Sequence, residues 1–456
     1  MSLDKFFNPK SVAVIGASRT AGKLGYTILE NLKLSFNGKL YPINPNAGEI
    51  LGLIAYPSVL DIKEPIELAV IVVPAEMVKK TLEECIKKKI GHIIIISSGF
   101  SEIGEKEREL ELKKVKKDAR IIGPNCIGIY KNNLDMIFFP RNRLKRPPEG
   151  SISFITQSGA FGSILLDIMA NDGVGVSKFI SIGNKLDVDE IELIKYLEED
   201  LSTRCIAIYL ESIVDGEEFI KSAKKATKIK PIVAFKAGKT EKGVEAVASH
   251  TGALAGSSAV YSAAFKQAGI IEAKNSEEIF DFAKALANQP VLKDNKIAVV
   301  TDGGGFGIVA TDAAIQLGLE LPSLSNESIK ALKSFLPSYA STKNPIDLTG
   351  DATVERYQKA LEVVLKDKNI AGVVCIALMQ LPTMSDDIVN VLRDCKVFGK
   401  PITVCSAGGQ YILERNRKLE AFGIPVYPSP ERAVKALSVL YEYGKILKRE
   451  EPEKKK

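Results

Sequence analysis

The strongest constraint on this chain is a succession of short apolar runs in its N-terminal third, each closed by Gly, Pro, Asn or Ser. They are Ser11-Val-Ala-Val-Ile15, Lys39-Leu-Tyr-Pro-Ile43, Leu68-Ala-Val-Ile-Val-Val73, His92-Ile-Ile-Ile-Ile96 and Arg120-Ile-Ile122. Helical stretches such as 75–89 lie between them. Runs that stay apolar on consecutive residues, rather than alternating, belong to strands covered on both faces. Strands alternating with helices then give a parallel, doubly wound sheet. The pattern ends near 141–150, a polar, proline-containing stretch that reads as a linker. At 456 residues the chain is too long for one core, and about three domains of roughly 150 residues are expected.

The remainder reads as two copies of one plan. Ile152-Ser-Phe-Ile-Thr-Gln-Ser-Gly-Ala-Phe-Gly162 parallels Ile297-Ala-Val-Val-Thr-Asp-Gly-Gly-Gly-Phe-Gly307. Lys230-Pro-Ile-Val-Ala-Phe-Lys-Ala-Gly238 parallels Lys400-Pro-Ile-Thr-Val-Cys-Ser-Ala-Gly408, and Ile206-Ala-Ile-Tyr-Leu210 parallels Val373-Val-Cys-Ile-Ala377. The expected architecture is α/β throughout: a Rossmann-like domain (1–145) followed by two flavodoxin-like domains (146–288 and 289–456). The repeat also serves as an internal comparison. Glu211 follows its strand in the first copy, where the second continues into Leu378-Met-Gln380. The first copy then has Val247-Ala-Ser-His-Thr-Gly-Ala-Leu-Ala-Gly256, where the second has no histidine. Features missing from a duplicate are not required by the fold, so Glu211 and His250 are functional candidates.

His250 is one of only two histidines. Imidazole is a competent nucleophile near neutral pH, with an unperturbed pKa of about 6.5, and the small residues around His250 leave room for a bulky adduct. The other histidine, His92, opens an isoleucine run and reads as a buried strand residue.

The first strand runs into Gly16-Ala-Ser-Arg-Thr-Ala-Gly-Lys-Leu-Gly25. Glycines allow backbone amides to approach a phosphate at a helix N-terminus. The phosphate loop of NTPases does not fit, because five residues separate Gly16 from Gly22 and Leu24 stands where the metal-binding hydroxyl belongs. A dinucleotide is disfavoured too: Ser18 breaks the glycine pattern, and the second strand ends in Asn44-Pro-Asn46 without the ribose-binding acid. That leaves a phosphate-bearing ligand of another kind, or a tight structural turn. The other strand ends, at Val73-Pro74, Ser98-Gly99 and Asn125-Cys126, would wall the same crevice.

Composition narrows the remaining classes. The net charge of +6 is small, and no basic face interleaved with aromatics points to nucleic acid. No apolar run approaches the ~20 residues of a membrane span. The six cysteines form no C-x-x-C pair, which argues against a disulfide framework or zinc site and for a reduced, cytoplasmic setting. No signal peptide is expected ahead of the first strand.

Taken in order, Gly16-Ala-Ser18, Gly123-Pro-Asn-Cys-Ile-Gly128, Thr156-Gln-Ser-Gly159, Glu211 and Ser249-His-Thr-Gly252 resemble the α subunits of the NDP-forming acyl-CoA synthetases, of the acetate–CoA ligase (ADP-forming) type. The first two domains are also similar to the α subunit of succinyl-CoA synthetase, and the resemblance extends over essentially the whole chain. It implies an acid–thiol ligase that interconverts acyl-CoA, phosphate and ADP with the free acid, CoA and ATP. It implies coenzyme A on the first domain, at Gly16, Ala17, Ser18, Lys23, Gly25, Asn44, Pro45, Val73, Pro74, Ser98, Gly99, Asn125 and Cys126. It implies His250 as the phosphorylated residue, Glu211 as its orienting partner, and phosphate-stabilising groups at Ser158, Gly159, Thr251 and Gly252, with no metal on this chain. ATP or ADP with Mg would sit on a separate ATP-grasp β subunit, in an α2β2 assembly. Two further readings are weighed against this: a non-catalytic CoA-binding regulatory module and an NAD-linked oxidoreductase.

Overall fold

The computed structural model describes residues 2–243, 245 and 258–449. Contacts divide the chain into two compact units, residues 1–171 with 175–274 and residues 172–174 with 275–456.

In the first unit, β1 (Ser11–Ile15), β2 (Lys39–Ile43), β3 (Leu68–Ile71), β4 (His92–Ile95) and β5 (Arg120–Ile122) form a parallel sheet ordered β2-β1-β3-β4-β5. These are the five apolar runs. Every residue of β1, β3 and β4 is buried, as unbroken apolar strands require. Helices α1 (Leu24–Ser35), α2 (Ala75–Lys87) and α3 (Lys106–Val115) connect the strands. Helix α2 buries Val78, Thr81, Leu82 and Cys85. This i, i+3, i+4, i+7 stripe packs with Ile71, Ile93 and Ile95 of the sheet.

The chain enters its second sheet before the proline-containing stretch. Strands β6 (Ile129–Lys131) and β7 (Leu134–Asp135) form an antiparallel pair. β6 also pairs with β9 (Val176–Ser181), placing Tyr130 opposite Phe179 and Ile129 opposite Ile180. The arginines that make 141–150 look like a linker are fixed to this hairpin. Arg141 and Arg146 reach the fully buried Asp135 carboxylate at 2.9 and 3.0 Å. Strands β8 (Glu149–Thr156), β10 (Cys205–Leu210), β11 (Ile232–Lys236) and β12 (Ile271–Ala273) complete the sheet in the order β12-β11-β10-β8-β9-β6-β7. Its helices are α4 (Gly159–Asp172), α5 (Glu190–Glu199), α6 (Gly216–Ala226) and α7 (Ser258–Ala268). Asp189 and Asp215 cap α5 and α6 by accepting the Glu192 and Glu218 N–H groups at 3.0 and 2.9 Å.

The second unit holds a third sheet of β13 (Ile297–Thr301), β14 (Ile346–Asp347), β15 (Gly372–Ile376), β16 (Ile402–Cys405) and β17 (Val426–Tyr427), ordered β14-β13-β15-β16-β17. Helix α8 (Ser276–Asn288) belongs to this unit. A buried Lys284–Glu420 ion pair at 2.9 Å and the Arg432–Asp281 pair at 2.7 Å fasten it there. Helix α9 (Gly304–Gln316) follows β13 as α4 follows β8.

In all three sheets the parallel strands run second, first, third, fourth, fifth, so the duplication seen in the sequence is threefold in topology. The last two copies share finer detail. The Thr156 hydroxyl donates to the Ser158 carbonyl at 2.7 Å, and Thr301 does the same to Gly303 at 3.0 Å. Lys230 and Lys400 both donate to a carbonyl at a preceding helix end, Leu197 at 2.8 Å and Asp367 at 2.7 Å. Such shared features serve the fold.

Candidate functional site

In each sheet the order reverses between the first and third strands, and ligands of open α/β sheets bind in the crevice beyond the carboxyl ends at that point. In the first sheet this lies beyond β1 and β3. Gly16 has φ +94°, and a Cβ there would meet the Val72 carbonyl oxygen at 2.5 Å. At Gly25 a Cβ would come within 2.0 Å of the Gly16 carbonyl. Both glycines are thus demanded by the packing of the loop against β3 and α1, before any ligand is considered. Asn44 braces the loop: its Nδ2 donates to Ala17 at 2.7 Å and its Oδ1 accepts from Asn46 at 2.8 Å. Ser18 accepts from Thr20 at 3.0 Å. Helix α1 starts beyond Lys23 without a side-chain cap, which leaves its N-terminal end available to an anion.

These loops line a cavity of about 1090 Å³. Gly16, Ala17, Ser18, Lys23 and Gly25 line it from β1 and α1, and Asn44 and Pro45 from β2. Val73 and Pro74 follow β3, Ser98 follows β4, and Asn125 and Cys126 follow β5. Gly99 is not part of the lining; its carbonyl accepts from Arg108 at 2.9 Å behind Ser98. Asn125 is left-handed, with φ +59°, and donates to Asn184 Oδ1 at 3.2 Å. Cys126 donates to the Ile95 carbonyl at 3.3 Å, and burial pushes its thiol up to about 12. It lines the wall, and burial disfavours the thiolate form that nucleophilic chemistry would need.

The same cavity is lined by Gln157, Ser158, Gly159 and Ala160, where β8 passes into α4. Ser158 caps the helix, its Oγ accepting the Phe161 N–H at 3.3 Å. Gly159 presses on the residue after Cys126: a Cβ there would lie 2.6 Å from Ile127 Cγ2. The crevice of the first sheet and the helix start of the second therefore share one wall.

Glu211 follows β10, at the switch point of the second sheet, and is 6% exposed. The turn that carries it is held by side chains from three other segments. Gln157 Oε1 accepts the Glu211 N–H, and also the Ser212 N–H at 3.0 Å, while Gln157 Nε2 donates to the Ser212 carbonyl at 3.0 Å. Lys185 Nζ reaches that carbonyl at 2.9 Å, and the Tyr261 hydroxyl accepts the Ile213 N–H at 3.2 Å. Burial, and after it the Glu211 carboxylate, push the Tyr209 phenol above its ordinary range. Lys236 ends β11 opposite Leu210 and is buried. Burial lowers its pKa, against which the Glu211 charge acts.

His250, Thr251 and Gly252 lie outside the described residues. His92 is a strand residue with its Nε2 2.7 Å from the Ser2 carbonyl and its ring edge-on to Phe6; burial lowers its pKa. Gln157 and Lys236 were not singled out from the sequence. The repeat carried the signal for both, since the second copy has Asp302 and Ser406 in their places. Among the described residues no group of three or more His, Cys, Asp or Glu could hold a metal ion, and no helix is long and apolar enough to cross a membrane.

Three family models match successive parts of the chain: a CoA binding domain over residues 10–132, a succinyl-CoA ligase like flavodoxin domain over 149–286, and a ligase-CoA domain over 297–449. The acetate–CoA ligase [ADP-forming] I subunit alpha of Pyrococcus furiosus is 42% identical over 98% of both chains. The acetate–CoA ligase [ADP-forming] I of Archaeoglobus fulgidus is 42% identical over 98% of this chain, which spans 64% of that relative's length. Among solved structures, acetyl-coenzyme A synthetase 1 of Ca. Korarchaeum cryptofilum, in complex with phosphate and ADP, superposes with a TM-score of 0.90 at 38% identity. That match covers 98% of this chain and 97% of the other.

Proposed function

This chain belongs to the family of ADP-forming acetate–CoA ligase α subunits, and we propose that it performs the acyl-CoA half of that reaction. An acyl-CoA lies in the crevice beyond the first sheet, with its phosphate groups toward Lys23 and the start of α1 and its thioester toward Asn125 and Cys126. Inorganic phosphate attacks the thioester carbonyl, giving acyl phosphate and releasing the CoA thiolate. His250 takes the phosphoryl group from the acyl phosphate and the carboxylic acid leaves. The phosphohistidine then phosphorylates ADP.

The observation that carries this reading is the shared wall of the cavity. Cys126, where the thioester is placed, and Gly159, at the helix start that faces the phosphate, bound one space. A helix N-terminus stabilises phosphate without offering a competing nucleophile. Glu211 stands beside that helix start through Gln157 and orients the imidazole, with Thr251 and Gly252 contributing donors from the histidine's own loop. An ATP-grasp β subunit supplies the ADP site and its Mg, in an α2β2 assembly. Six unpaired buried cysteines suit the reducing cytoplasm.

The test is phosphate transfer. The chain and its partner subunit are incubated with acetyl-CoA and radiolabelled phosphate, and acid-labile, base-stable label on the chain is measured alongside ATP formation. His250→Ala is expected to abolish both while CoA binding survives. Labelling and turnover undiminished in that variant would overturn the assignment, and CoA binding without label in the wild type would leave a regulatory CoA-binding module.

A further inference from the structure

The switch points of the second and third sheets are built alike, with one exchange. In the second sheet the residue after Thr156 is Gln157, whose Oε1 accepts the N–H of Glu211, the first residue beyond Leu210. In the third sheet the residue after Thr301 is Asp302, whose carboxylate accepts the N–H of Leu378, the first residue beyond Ala377, at 3.0 and 3.1 Å. The two positions correspond in the repeat. The fold requires an acceptor there to close the gap between first and third strands, and either an amide or a carboxylate supplies it.

The acid changes place between the copies. The third sheet has its carboxylate on the clamp and an apolar residue, Leu378, on the far strand. The second sheet has a neutral amide on the clamp and its carboxylate, Glu211, on the far strand. Each switch point thus carries one acid at this pair of positions. Gln157 also lines the cavity, whereas Glu211 does not. The clamp in the wall is neutral, and the residue whose backbone it holds, Glu211, bears the carboxylate.

We infer that Gln157 is a positioning residue for the phosphoryl-transfer step, the inference resting on the function proposed above. Its amide fixes the Glu211 turn through three hydrogen bonds, to Glu211 N–H, Ser212 N–H and Ser212 C=O. Its neutrality keeps the anion-binding wall free of a second negative charge and leaves Glu211 the only carboxylate of the pair. Two carboxylates sharing such a site do not both ionise.

Two variants separate these contributions in the full chain reconstituted with its partner subunit. Gln157→Glu preserves the acceptor oxygen and brings a carboxyl group, with a share of the pair's single negative charge, into the cavity wall. It is expected to raise the KM for phosphate at least tenfold while the KM for acyl-CoA stays within threefold. Gln157→Met is neutral and lacks all three bonds. It is expected to lower kcat at least tenfold while the KM for phosphate stays within threefold. Either variant suffices if the other fails to fold, as judged by its thermal melt. A folded variant within twofold of wild type in both kcat and phosphate KM overturns the inference and leaves Gln157 a clamp of the fold alone. A wild-type complex that makes no ATP from any acyl-CoA overturns the underlying reading instead.

Discussion

The ammonium of Lys236 lies 4.6 Å from the centroid of the Tyr261 ring. Tyr261 in turn holds the Ile213 N–H through its hydroxyl, so the lysine is packed against a residue that fixes the Glu211 turn. A buried ammonium carries a desolvation cost that a ring face and the Ala237 carbonyl offset only in part. The second copy has a serine there and keeps the same strand, so the charge is not needed for folding.

Lys236→Met retains the stem and removes the charge. The variant is expected to melt at or a few degrees above the wild-type temperature, while acyl-CoA-dependent ATP formation falls by roughly tenfold, about 1.4 kcal/mol of transition-state stabilisation, as Glu211 loses its nearby cation. Calorimetry and the coupled assay on one preparation read both. A lower melting temperature with full activity would mark Lys236 as a structural residue.

Asp302 gives a pH signature. It is 2% exposed, and burial pushes its carboxyl up to about 6 from an ordinary 3.8. Between those values the folded chain holds a proton that the unfolded chain has released. The stabilisation from this group is therefore complete below about pH 4 and lost as the pH rises through about 6, a change of about 3 kcal/mol. Asp302→Asn keeps an acceptor for Leu378 and cannot titrate. Urea denaturation from pH 4 to 7 should show a steeper loss of stability in wild type than in the variant, and parallel curves would refute the assignment.

Gly159 tests the shared wall. A methyl group there would meet Ile127 Cγ2 at 2.6 Å, and overpacking of this kind costs about 1–3 kcal/mol. Gly159→Ala is expected to destabilise by that amount in wild type and by clearly less in an Ile127→Ala background, where the opposing methyl is gone. Additive losses in the double-mutant cycle would show that the two residues do not meet.

The apolar runs told most about the fold, because a strand covered on both faces leaves an unmistakable composition. All five N-terminal runs are strands. The hairpin at 129–135 was not legible: two short strands joined by Asn132-Asn133 have too few residues to show a period. The anchoring of 141–150 was hidden for a related reason. Polarity and proline suggest solvent, and only the fold shows that Arg141 and Arg146 meet a buried aspartate. At the candidate site, Glu211 stands out because the second copy lacks it, and the crevice positions can be located because they stand at strand ends. Gln157 and Lys236 looked like ordinary strand neighbours until register placed them beside Glu211. The sequence leaves a phosphate-bearing ligand and a tight structural turn both open at Gly16 and Gly25, and the crowding that requires these glycines comes from the protein's own backbone.

The hairpin has a consequence for how the first unit can be inherited. A recombination event that cut at the prolines of 141–150 would carry β6 and β7 away with the wrong partner. It would strip the second sheet of its β6–β7 edge, with Asp135 and its two arginines leaving on the same fragment. The crevice and the phosphate-facing helix are therefore not portable modules. They are tied together by β6 and β7, so a cut between them would disturb the spacing between Cys126 and Gly159 on which the proposed chemistry depends.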